Sequence, residues 1–141
     1  MLVRVAFTVL VALVALQRLF ELGRSRFDEQ LLRRAGAVEH APEQLRWMTA
    51  LHAAWLVAML VEVHALEREP PALLALLALA VFAAGQALRW AAIRALGWRW
   101  TVRILVLPGR PPVTGGVFRR LRHPNYLGMV LEIAALPLVG G

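Results

Sequence analysis

Leu73-Leu74-Ala75-Leu76-Leu77-Ala78-Leu79-Ala80-Val81-Phe82-Ala83-Ala84 is an almost uninterrupted run of alanine, leucine and valine. It presents no polar face, so it fits neither an amphipathic surface helix nor an alternating strand. Inside hydrocarbon such a run satisfies its backbone as a helix, and with its flanks it covers residues 71–94. Two further apolar segments, residues 1–22 and 47–66, also come close to the roughly 20 residues needed to cross a bilayer. The expected fold is therefore all-α, a single-domain integral-membrane helical bundle over residues 1–141. It has three full transmembrane helices, a short irregular interfacial segment over residues 97–126 and a partial fourth helix over 127–139.

Composition agrees with a bilayer. Sixty per cent of the residues are apolar, above the roughly half usual for a soluble domain, and mean hydropathy is +0.61. The chain has no cysteine, which excludes disulfides, thiolate metal sites and thiol nucleophiles, and no metal site is expected. All 16 basic residues are arginine, and the net charge is +7. Arginine keeps its charge and binds phosphates through several donors, so anionic membrane lipids are the expected partners and nucleic acid is not. The first apolar segment lacks a small-residue cleavage pattern and runs on into Arg18-Leu19-Phe20-Glu21, so it reads as a retained helix and not as a signal peptide.

Arginine asymmetry sets an expected orientation. Arg24, Arg26, Arg33, Arg34 and Arg46 lie between the first two helices, and Arg94, Arg99, Arg103, Arg110, Arg119, Arg120 and Arg122 follow the third. Only Arg68 lies between the second and third. The positive-inside rule then puts the N-terminus outside and the region around His123 in the cytoplasm, in a bacterial inner membrane. No acidic residue occurs between Glu69 and Glu132, so this cytoplasmic stretch is expected to carry an uncompensated positive field.

With that topology Arg18, Glu21, His52, Gln86, Arg89 and Glu132 fall in one layer near the cytosolic ends of four helices. Ionisable groups at such depth face a bundle interior, where they pair or serve function. The layer reads either as structural ion pairs, such as Glu132 with Arg18 or Arg89, or as the lining of a cavity open to the cytosol. On the second helix His52, Trp55, Met59 and Glu62 recur at spacings of three, four and three, which predicts one interior face.

From Gly97 to Pro112 the helical pattern fails. Trp98, Trp100 and Thr101 to Leu107 alternate imperfectly, and Pro108-Gly109 and Pro111-Pro112 impose turns, which predicts an extended piece with its tryptophans as bilayer anchors. Val117 to Arg122 reads as a short basic helical turn. His123 precedes a proline and is pushed out of the α region, while Pro124 suits the first turn of the next helix.

The run Gly97-Trp98-Arg99-Trp100-Thr101, then Leu107-Pro108-Gly109, then Arg122-His123-Pro124-Asn125-Tyr126-Leu127-Gly128 with Glu132 resembles the bacterial branch of the isoprenylcysteine carboxyl methyltransferase family. Arg18-Leu19-Phe20-Glu21-Leu22 and His52 resemble it too, so the likeness covers nearly the whole chain. The resemblance implies a membrane enzyme that takes S-adenosylmethionine from the cytosol and methylates an oxygen of a lipid-like substrate. It implies cofactor binding by Gly116, Arg122, His123, Pro124, Tyr126 and Gly128. The substrate class it implies is either a prenylated cysteine carboxylate or a phenolic polyketide lipid of the alkylpyrone or alkylresorcinol type. A phenol benefits from a base, and Glu132 or His52 can supply one, whereas a carboxylate is already ionised at neutral pH.

Family members of this kind continue with the rest of a helical hairpin and a tail bearing arginine and glutamate. The resemblance therefore leads to the expectation that further chain, or another copy in a homo-oligomer, completes the site. Two other classes share parts of the pattern. A membrane sterol-type reductase would share the Asn125-to-Gly128 region and bind NADPH, and a non-catalytic membrane protein would bind neither cofactor.

Overall fold

A computed structural model describes residues 1–67 and 69–141. Arg68, the arginine expected between the second and third helices, lies outside the described residues. Among those described, four α-helices account for most of the chain: α1 (Leu2–Arg34), α2 (Gln44–Leu66), α3 (Ala72–Leu96) and α4 (Pro124–Gly140). The first three are long and apolar enough to cross a membrane. The expected all-α membrane bundle is thus the observed architecture.

α1 runs on to Arg34 and does not stop near Leu22. Its buried stripe keeps one helical period throughout but changes chemistry on the way, from Phe7, Val11 and Val14 to Glu21, Ser25, Asp28 and Leu32. Hydropathy registers only the first half, because a helix leaving the hydrocarbon can pack through polar groups. Arg24, Arg26, Arg33 and Arg34 accordingly lie on helix, not in a loop.

The extended piece expected after Gly97 finds a partner. Strand β1 (Val38–His40) pairs antiparallel with β2 (Ile104–Val106), with Glu39 opposite Leu105. Short 3-10 turns occupy Gly97–Arg99 and Gly116–Arg119. Trp98 is exposed, as an anchor requires, but Trp100 is 4% exposed and packs under the Arg24 guanidinium, 6.0 Å from its ring centroid. It is a core residue and a cation–π partner, not a bilayer anchor.

The apolar core lies at the end of the bundle away from the ribbon. Phe7, Val11 and Val14 of α1 meet Met59 and Val63 of α2, Phe82 of α3, and Ala135 and Leu136 of α4. The buried face of α2 ends on Val63, and Glu62 is exposed, so the expected His52-to-Glu62 face turns by one residue at its distal end. α3 and α4 cross most closely at Gly85 and Gly128. A Cβ on Gly128 would stand 2.6 Å from Arg89 Cγ and 2.7 Å from the Gly85 carbonyl oxygen, and one on Gly85 would stand 2.8 Å from the Gly128 carbonyl oxygen. Small residues allow this approach, which supplies dispersion contact where lipid gives no hydrophobic drive. Pro137 lies inside α4, yet the helix continues to Gly140. Proline is tolerated in such helices where neighbouring helices shield the freed backbone.

Candidate functional site

At the ribbon end the helices part around a cavity of about 580 Å³. α1 contributes Ala15, Arg18, Leu19, Glu21 and Leu22, and α3 contributes Arg89 and Leu96. One face of α2 contributes Leu45, Met48, Thr49, His52, Ala53 and Leu56. The ribbon side adds Glu39 and the run Arg99 to Leu105, and the start of α4 adds Arg122 to Tyr126 and Met129. The volume lies within the range of small-molecule sites, roughly 300–1,000 Å³. Its lining combines apolar side chains such as Leu19, Leu56 and Met129 with polar ones such as Arg18, His52 and Arg122, which suits an amphiphile beside a polar cofactor.

The polar layer supplies both of its expected roles. Arg18 donates to Glu21 at 2.7 Å and also to Glu132, while Arg89 donates to Glu21 at 2.6 Å and lies 3.6 Å from Glu132. Gln17, absent from the expected layer, donates to Glu21 at 3.0 Å and to Gln86 at 2.8 Å. Two arginines and two glutamates therefore cancel, and Arg18, Glu21 and Arg89 also line the cavity. Glu132 does not line it: the residue is 2% exposed and stands behind the arginines. His52 does line it, and its Nδ1 lies 2.8 Å from the Met48 carbonyl oxygen. A carbonyl only accepts, so Nδ1 is the donor, and in the neutral imidazole this leaves Nε2 with its lone pair.

A second charge network holds the ribbon against α1. Arg33 donates to Glu29 at 2.7 Å and also to Glu39, and Arg103 contacts Glu29 at 3.2 Å and Glu39 at 2.6 Å. The Ser25 hydroxyl accepts from the Val102 N–H at 2.9 Å. The positive field expected between Glu69 and Glu132 is therefore partly cancelled, because Arg89 and Arg103 find their carboxylates on α1 and β1. The Glu29–Arg33 spacing is a helix-pair signal legible in sequence. Its extension to Arg103 is not, since the partners are 64 residues apart for Glu39.

The Arg33 and Arg103 guanidiniums hold the Glu39 carboxyl below its ordinary range. A carboxyl that titrates lower when folded binds fewer protons in the folded state. Its contribution is complete above the unfolded pKa and disappears as pH falls through the lowered folded value. Amide hydrogen exchange at Ile104 and Val106 should therefore quicken as pH drops below the carboxylate range, after correction for intrinsic rates. Glu39→Gln should remove that added pH dependence, and an unchanged profile in the variant would exclude Glu39 as the latch.

Of the cofactor-binding residues expected from sequence, Arg122, His123, Pro124 and Tyr126 line the cavity. The His123 and Tyr126 rings meet edge to face at 6.0 Å. Gly128 lies in the α3–α4 crossing, where it makes room for helix backbone. Gly116 has φ +58, which favours glycine, and its missing Cβ would face Ala95 at 3.4 Å. Neither glycine lines the cavity. Among the described residues, no group of acidic residues and histidines has metal-site geometry.

Residues 76–141 match the isoprenylcysteine carboxyl methyltransferase (ICMT) family. Over 133 residues the chain is 31% identical to the uncharacterized protein YpbQ of Bacillus subtilis (strain 168), an alignment covering 94% of this chain and 79% of that protein. No solved structure matches.

Proposed function

Because this chain belongs to the isoprenylcysteine carboxyl methyltransferase family, we propose that it is a membrane O-methyltransferase that uses S-adenosylmethionine and a lipophilic acceptor. The observation that carries this reading is the shared cavity: the Arg122-to-Tyr126 motif and the polar ends of α1 and α2 open into one space. The residues present fit the cofactor. Arg122 has no carboxylate partner among the described residues and is suited to the methionyl carboxylate, with Arg99 nearby in the same lining. Trp100, Phe118, His123 and Tyr126 offer aromatic surface for an adenine ring.

S-adenosylmethionine, when bound, supplies an electrophilic methyl group on a sulfonium sulfur. The protein's own task is to bind, orient and exclude water. Ala15, Leu19, Ala53, Leu56 and Met129 give the acceptor's hydrocarbon an apolar wall. His52 Nε2 takes the proton of a hydroxyl acceptor, and an ionised carboxylate acceptor has no proton to remove. Glu132 is a positioning residue: it holds Arg18 and Arg89, which form the polar wall. The exposed arginines Arg26, Arg34, Arg46, Arg94, Arg110, Arg119 and Arg120 are suited to rest on an anionic leaflet, and their excess at the cavity end supports a cytoplasmic side for that end.

The test is direct. Protein purified in detergent should bind S-adenosylmethionine in isothermal titration and should not bind NADPH. It should also move a tritiated methyl group onto a prenylcysteine carboxylate or a long-chain phenolic lipid. NADPH binding alone would favour the reductase reading, and binding of neither cofactor would leave the protein non-catalytic.

A further inference from the structure

Both carboxylates that line the cavity, Glu21 and Glu39, are committed. Glu21 receives Gln17, Arg18 and Arg89, and Glu39 receives Arg33 and Arg103. Asn125, on the first turn of α4, carries a neutral acceptor that is not. Its Oδ1 is buried without a hydrogen-bond partner, and the residue lines the cavity. A buried amide oxygen left unpaired forgoes the hydrogen bond it had in water, so a ligand that donates to it gains what the free protein lacks. Any ligand that fills this space in register with the Asn125 amide has to bring an N–H or O–H.

Arg122 precedes Asn125 by three residues, lines the same cavity and has no carboxylate partner among the described residues. A cation without a carboxylate partner and an unpaired neutral acceptor lining one cavity are complementary to an α-amino acid zwitterion: carboxylate to Arg122, ammonium to Asn125. Both carboxylates in the lining are neutralised, so no full negative charge competes for the ammonium. We infer that Asn125 is a specificity residue that reads the α-ammonium of the cofactor's methionyl group. This rests on the methyltransferase reading above. It distinguishes the cofactor's amino-acid end from its nucleoside end.

Two ligands separate those ends: S-adenosylhomocysteine, which keeps the zwitterion, and 5'-methylthioadenosine, which keeps only the nucleoside. In isothermal titration with detergent-solubilised protein, Asn125→Ala should weaken S-adenosylhomocysteine roughly ten- to a hundred-fold, the range for a hydrogen bond to a charged group. It should leave methylthioadenosine within about two-fold. Asn125→Asp offers a charged acceptor in the same place and should restore at least part of the S-adenosylhomocysteine affinity. Equal weakening of both ligands would overturn the inference in favour of contact with the adenine amino group, and unchanged affinity for both would remove Asn125 from recognition. Thermal denaturation of each apo variant identifies any that fails to fold, and Asn125→Ser then takes the place of the alanine variant. Failure of the unmodified protein to bind either ligand would reject the methyltransferase reading itself, a result distinct from a failure confined to the variants.

Discussion

Arg89→Met is expected to lower the stability of the detergent-solubilised protein by about 3–5 kcal/mol, the cost of breaking one partner out of a buried ion cluster. Arg89 is 5% exposed, and its two carboxylate neighbours, Glu21 and Glu132, are 6% and 2% exposed. Without it, two buried carboxylates share the single Arg18 guanidinium, and one negative charge is left uncompensated. The effect is transmitted widely because the cluster joins three helices, with Arg18 and Glu21 on α1, Arg89 on α3 and Glu132 on α4. The doubly substituted Arg89→Met, Glu132→Gln protein restores the balance of charge and should recover a substantial part of the loss. Thermal or denaturant unfolding of the two singles and the double forms the cycle that measures this coupling. Additive losses would show that the four groups do not act as one unit.

Methyl transfer to a phenolic lipid should fall by about 10²–10⁴ in His52→Ala, the range for loss of a general base. Transfer to a prenylcysteine carboxylate should change far less, because that nucleophile is already ionised at neutral pH. The Met48 carbonyl fixes the tautomer with Nε2 unprotonated, which makes His52 the better-placed base of the two considered. Glu132, by contrast, is held behind two arginines. Glu132→Gln should therefore affect binding and stability more than it affects the difference between the two acceptors. An equal fall for both acceptors in His52→Ala would assign His52 to packing of the cavity wall.

Much of the fold is legible in local sequence. The run from Leu73 to Ala84 specifies a membrane helix from its composition alone, and Pro124 correctly opens α4 at its first residue. Arg122, His123, Pro124 and Tyr126, singled out by their motif, share one cavity with His52 and the polar end of α1. What escaped was polar packing. The extension of α1 to Arg34 carries Ser25 and Asp28 on its buried stripe, and no hydropathy signal marks a stripe of that kind. Trp100 looked like its neighbour Trp98, but one side chain turns inward beneath Arg24 and the other outward. Gly128 sits in the matched motif, yet the close backbone at that position belongs to α3.

Composition and spacing alone determined that this chain is a membrane bundle with a basic, motif-bearing end. Burying a hydrocarbon run in lipid is a local property, and it needs no knowledge of the neighbours. The tertiary structure alone decided which charges cancel. Arg18 reaches Glu132 across 114 residues, and Arg103 reaches Glu39 across 64. Such pairs depend on where helices cross, and the crossing here depends on two glycines allowing α3 and α4 to touch. With those charges neutralised, Arg122, which has no carboxylate partner among the described residues, and the buried Asn125 amide oxygen stand out in the lining of the site.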